Sequence, residues 1–241
     1  MGDTMSEIEF PFKRQTWYAL TELIIFEDHL LSARRQNKQF DNDLRCSRET
    51  WMQLRTKELY PLLCFAKQTT LATATQFQIC AEGADADIEL KDIKSKVRRL
   101  QITLAGPIWD SSNLNWGKGH KYEMEKLNSE GQVSGWGPYK KNDESIVNRE
   151  KMISTEERNP IYLAGLIKAL KGKRNHRIPD CDLIVRAVNY CEAMNLQTFI
   201  KLASAALNEI SLLSFHNIYI LDCANKYFVS KNAAGQITWP P

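Results

Sequence analysis

The sequence predicts an α/β protein with a mixed central sheet flanked by helices and a helical segment at its N-terminal end. Two short runs, Val97 to Ala105 (VRRLQITLA) and Asp182 to Val188 (DLIVRAV), have the β-branched, apolar character of buried strands. Helical periodicities alternate with such runs through the second half, an order that builds a sheet with helices on its faces. At 241 residues and 43% hydrophobic content, the chain has enough apolar mass for a full core without a disulfide or metal staple.

Taken in order, residues 14–36 read as an amphipathic helix through Trp17, Leu20, Ile24 and Leu31. Arg34 and Arg35 suit the negative end of that helix. A polar loop follows to Cys46, and Ser47 offers a cap for a second helix over 48–67, with a break or kink near Tyr60 because Pro61 lies inside it. Gln76 to Ala81 alternates as a strand does, and Glu82-Gly83-Ala84-Asp85 supplies a turn. Asp87 to Leu90 is a second strand, a basic turn follows, and the strand Leu100 to Ala105 ends at Gly106-Pro107. Residues 107–119 form a loop, 120–130 a short helix, and 131–151 a hairpin or loop. Ser154-Thr155-Glu156-Glu157 resembles a capping box opening a helix to Lys173. The strand Asp182 to Val188, a helix over 195–213 and the strand Asn217 to Asp222 complete the core, leaving 231–241 as a frayed tail. The organisation expected is one domain, with a helical extension over 1–46, a core over 47–230 and that tail.

No apolar run approaches the ~20 residues of a membrane span. The opening MGDTMSEIEF lacks the basic start and apolar core of a secretory signal, so a cytoplasmic location is expected. The six cysteines are scattered without a Cys-x-x-Cys pair, as suits small buried hydrophobes in a reducing compartment. Phosphate-loop, dinucleotide, nucleophile-elbow and His-Glu-x-x-His signatures are all missing.

Net charge is only +3, but its distribution is uneven. Lys91, Lys94, Lys96, Arg98 and Arg99 crowd one stretch, and Lys168, Lys171, Lys173, Arg174 and Arg177 another. Such clusters fit a polyanion-facing surface, and equally a solvated face beside a turn. Of these, Lys94, Lys96, Arg98, Arg99, Lys168, Lys173 and Arg174 are the candidate nucleic-acid contacts. Trp109, Trp116, Trp136 and Tyr139 are interleaved with lysines and could stack on unpaired bases or pack their own loop.

One ordered constellation carries chemistry. A helix bears Glu58, a turn-to-strand step bears Asp85 and Asp87, and the next strand bears Gln101-Ile102-Thr103. This layout resembles the PD-(D/E)XK phosphodiesterase superfamily, the restriction-endonuclease-like fold. There a helix often gives a glutamate, one strand an aspartate, and the next an acidic residue and a lysine two apart. Residues i and i+2 of a strand share a face, so Gln101 and Thr103 point the same way. The resemblance implies Mg²⁺, with Mn²⁺ as a substitute, held by Glu58, Asp87 and the Gln101 amide oxygen. It implies nucleic acid as the partner and phosphodiester cleavage as the reaction, with Glu58, Asp87, Gln101 and Thr103 at the site. Here Gln101 stands for the acid and Thr103 for the lysine, and Lys168 and Lys171, on one helical face, are the candidate replacements for that lysine. Two other readings stay open. One is a catalytically eroded member of the same fold that binds nucleic acid or protein; the other is an unrelated protein whose basic clusters bind an acidic partner. A second copy of the chain is a further candidate partner.

Overall fold

A computed structural model of the chain describes residues 9–37, 50–71, 74–106, 123–127, 133–138, 155–173, 180–188, 195–210, 215–222 and 227–239. The chain divides into two compact units, one made of Met1–Pro107 with Leu163–Pro241, the other of Ile108–Tyr162.

In chain order the strands are β1 (Trp17–Ala19), β2 (Gln76–Ile79), β3 (Ile88–Lys91), β4 (Val97–Ala105), β5 (Glu123–Leu127), β6 (Val133–Pro138), β7 (Cys181–Ala187), β8 (Asn217–Leu221), β9 (Phe228–Asn232) and β10 (Ile237–Thr238). β5 and β6 pair with each other in the second unit, and the other eight build the mixed sheet of the first, side by side in chain order. β1 to β4 form an antiparallel meander. β4, β7 and β8 run parallel, and β9 and β10 return antiparallel. The parallel steps need crossovers, and these contain α3 (Thr155–Gly172) and α4 (Leu196–Asn208). Strand alternation then fixes two cores. Phe77, Ile79, Ile88, Leu90, Leu100 and Ile102 pack under α1 (Leu20–Gln36) and the second helical stretch, α2 (50–68). Leu183, Val185, Ile218 and Ile220 are also buried, on the face where right-handed crossovers place α3 and α4. Lys231 Nζ donates to the carbonyls of Leu207 and Ile210, closing the negative end of α4 on that side.

α2 is continuous but irregular: Thr50–Leu54 is α-helical, Arg55–Leu59 is a π-helical turn, and Tyr60–Gln68 is α-helical again. The break expected from Pro61 is therefore a widened turn just before it. A proline has no N–H for the carbonyl four residues back, and its ring crowds that carbonyl. Opening the turn, with the Tyr60 N–H donating to the Arg55 carbonyl, accommodates both. Arg55 donates to buried Glu27 of α1 through Nε (2.7 Å) and Nη2 (2.6 Å), so the π turn is bolted to its neighbour.

Several expectations are corrected. Trp17–Ala19 is an edge strand paired with β2, so the first helix begins at Leu20 instead of near residue 14, and its buried face belongs to the main core. Residues 123–127 are not helical, since they form β5 and pair antiparallel with β6. Glu, Met and Lys favour a helix in isolation, and here cross-strand pairing overrides that weak preference. The tail carries β10 and a turn at Gly235, whose φ of +80° suits glycine. The fourth helix stops at Asn208, short of residue 213. β9 had no expected counterpart, and the other core elements lie close to their expected places.

Candidate functional site

The site is assembled where β3 begins. β4 continues past its partner there, and the exposed edge needs acceptors for its N–H groups. Asp87 supplies one: its Oδ2 accepts the Ile102 N–H at 2.6 Å, while its own N–H donates to the Leu100 carbonyl at 2.9 Å. Asp87 thus extends the β3–β4 ladder by side chain. Gln101 lies opposite Asp87 in the antiparallel register, and its buried amide donates to the Asp85 carbonyl at 3.3 Å. Thr103 follows on the same face of β4, half-buried.

Glu58 comes to this place from the π turn of α2, a stretch that packs on β4. Its Oε1 lies 3.4 Å from Nη2 of Arg14, while its Oε2 is buried and has no hydrogen-bond partner among the described residues. Burial pushes the Glu58 carboxyl from 4.5 up to about 7; Arg14 pulls against that rise and the Asp87 charge adds to it. Glu58 and Asp87 are therefore near enough to feel each other. Alternation along β4 turns Gln101 and Thr103 away from the face on which Leu100 and Ile102 meet α1 and α2, and Asp87, opposite Gln101 and next to buried Ile88, falls on their face of the sheet.

The same neighbourhood acts on Cys80 at the end of β2. Burial pushes its thiol up to about 11, and Glu89, Asp87 and Glu58 push the same way. Cys80 is therefore an inert thiol. Cys64 and Cys181 are likewise buried and free, whereas Cys46, Cys191 and Cys223 lie outside the described residues.

Arg14 is the residue that sequence reasoning missed. It precedes the edge strand, bridges to Ile79, and donates from Nη1 to the Cys80 carbonyl at 2.7 Å. Nothing local in the sequence marks it, because a contact between residues 14 and 58 exists only once β1 has paired with β2.

Two carboxylates and an amide, Glu58, Asp87 and Gln101, are the residue types suited to a divalent ion. Among the described residues, no group of three His, Cys, Asp or Glu side chains forms a metal-binding set. The orphaned, buried Glu58 oxygen beside the Asp87 charge is nonetheless the kind of atom that a cation satisfies.

The basic residues divide. Arg98 is half-buried and committed: it is paired with buried Asp182, donates to the Tyr219 hydroxyl at 2.9 Å, and lies over the rings of Phe65 and Tyr219. Its charge is neutralised inside the sheet, which removes it from a polyanion-facing surface. Arg99, one residue on, faces the other way and is exposed, with Glu89 at 3.6 Å. Lys94 and Lys96 sit in the exposed β3–β4 turn, where both backbone N–H groups donate to Asp92 Oδ1. Lys168 and Lys171 are exposed on α3, away from its buried Leu166 and Leu170, and neither is ion-paired with Glu58 or Asp87. Lys173 is half-buried, and Arg174 and Arg177 lie outside the described residues, as do Trp109, Trp116 and Tyr139.

No protein-family model matches the chain, and no curated protein or solved structure matches it at a significant level. None of the described helices is long and apolar enough to cross a membrane.

Proposed function

We propose that the protein is a metal-dependent phosphodiesterase of the restriction-endonuclease-like kind, acting on nucleic acid. One observation carries the reading: a buried Glu58 oxygen has no hydrogen-bond partner among the described residues, and the Asp87 charge at the start of β3 acts on the same carboxyl. Glu58 and Asp87 would hold Mg²⁺, or Mn²⁺ in its place, with the Gln101 amide oxygen as the further candidate ligand from β4. The ion would supply an activated water and charge neutralisation. The chain's own contribution is positional. Asp87 is fixed by the Ile102 N–H, the Asp85–Asp87 step by the Gln101 amide, and Glu58 by a helix clamped through Arg55. Lys94, Lys96 and Arg99 supply exposed positive charge for the phosphate backbone. The location that suits this reading is cytoplasmic.

The second reading, an eroded member that binds without cleaving, is favoured by specific features. Thr103 carries no charge, Gln101 donates its amide N–H to the Asp85 carbonyl, and Lys168 and Lys171 do not pair with the acidic residues. Plasmid and single-stranded DNA incubated with Mg²⁺ or Mn²⁺ discriminates the two. Cleavage that disappears in Glu58→Gln and Asp87→Asn supports the first reading. Retained, salt-sensitive binding without cleavage supports the second, and no binding at low salt removes both.

A further inference from the structure

The site has two carboxylates, and Lys57, the lysine whose charge also acts on Glu58, has its Nζ engaged with the Gln53 side chain at 3.3 Å in an exposed contact. A phosphodiester is itself anionic, and so is the attacking oxygen once its proton is lost, so acidic residues alone leave the reacting centre short of positive charge. Thr103 does not relieve that, and neither lysine of α3 pairs with Glu58 or Asp87. Arg14 does reach Glu58, at 3.4 Å.

Its placement has the marks of a held group. The backbone is pinned at the edge of β2, with the Gln15 N–H donating to the Ile79 carbonyl at 2.7 Å. Gln15 has a φ of +60°, a left-handed conformation that costs a non-glycine residue about 1 kcal/mol. That turn carries the chain from the Arg14 bridge into β1. At the other end, Nη1 is anchored on the Cys80 carbonyl at 2.7 Å. The guanidinium is therefore fixed by backbone and by head group. With 36% of its side chain exposed, it also keeps donors open to an incoming ligand. A planar fork of N–H groups suits phosphate oxygens better than an ammonium does.

We propose that Arg14 is a catalytic residue, a fixed cation contacting the scissile phosphate beside Glu58 and Asp87 and supplying the charge that Thr103 cannot. The inference rests on the phosphodiesterase reading. In the reaction, water oxygen bonds to phosphorus as the P–O bond to the leaving nucleotide breaks. The water proton passes to solvent and the leaving oxygen takes one from solvent. Arg14 keeps all its protons and stabilises the charge that builds on the phosphate.

The test compares wild type, Arg14→Lys, Arg14→Met and Glu58→Gln in steady-state cleavage of single-stranded DNA with saturating Mn²⁺, each variant's melting midpoint being measured alongside. The expected result for Arg14→Met is a fall in kcat of about 100-fold or more with little change in KM, the scale of losing one preorganised charge-stabilising donor. Arg14→Lys should recover about tenfold of that loss, since it restores charge but not the fork. Melting midpoints close to wild type show that the loss is chemical. If cleavage depends on Glu58 but Arg14→Met keeps full kcat, the Arg14 role is overturned while the phosphodiesterase reading stands. The Arg14 role is equally overturned if Arg14→Lys is no better than Arg14→Met and both melt early. If wild type does not cleave at all, both fall.

Discussion

Replacing Glu58 with Gln should stabilise the protein at pH 8 and leave it nearly unchanged at pH 5. A carboxyl raised from 4.5 to about 7 in the folded state binds its proton more tightly there than in the unfolded chain. Its favourable contribution is complete below about 4.5 and is lost as the pH rises through about 7. The full difference corresponds to at most about 3 kcal/mol, because each unit is worth about 1.4 kcal/mol. The site is open enough to solvent for screening, which brings the usable figure to about 1–2 kcal/mol. The rise to about 7 is already net of the opposing pull of Arg14, so the loss of that pair lies inside this figure. The net expectation at pH 8 is therefore a gain of about 1–2 kcal/mol for the amide. Urea midpoints of wild type and variant at the two pH values, in metal-free buffer, give the difference directly. If Glu58→Gln is less stable than wild type at pH 8, and more so than at pH 5, the Arg14 pair outweighs burial and the description of Glu58 as a strained carboxylate fails.

Two further outcomes follow from the geometry. Glu27→Gln leaves Arg55 charged and buried against an uncharged partner, and should cost about 3–5 kcal/mol in chemical denaturation, as breaking a buried ion pair does; a loss under 1 kcal/mol would mean the clamp on the π turn is dispensable. Reversing Lys94, Lys96 and Arg99 to Glu should weaken nucleic-acid binding at low salt and flatten the dependence of log K on log salt by up to about 0.9 for each phosphate no longer neutralised. Fluorescence anisotropy measures that slope, and an unchanged value would move the binding surface elsewhere.

Much of the fold was legible because β2, β3, β4, β7 and β8 carry their own pattern: apolar residues at period two, or continuous apolar runs bounded by turns. The pairing of Asp87 with the strand bearing Gln101 was legible for the same reason, since two adjacent strands joined by a short basic turn form a hairpin. β1 and β10 were not legible. They are three and two residues long, and their partners make them strands. Arg14 went with β1, since its contact with Glu58 spans 44 residues. The basic run misleads for a simpler reason. Along the sequence it is a cluster, but in a strand successive residues face opposite sides. Arg98 therefore enters the sheet's buried face and meets Asp182, while Arg99 stays in water.

The link between Pro61 and the site shows how a local constraint serves a distant one. In a regular helix, residues three apart share a face, so Arg55 and Glu58 would compete for the same side of α2. The widened turn that Pro61 imposes separates them. Arg55 turns to buried Glu27 on α1, and Glu58 turns to Arg14 and the Asp87 charge. One irregular turn thus does two jobs: it anchors itself through a buried ion pair and aims an incompletely satisfied carboxylate at the end of β3. A helix kept regular for stability alone would need neither the proline nor the buried charge, so their joint presence points to the position of Glu58 as what this stretch is built to hold.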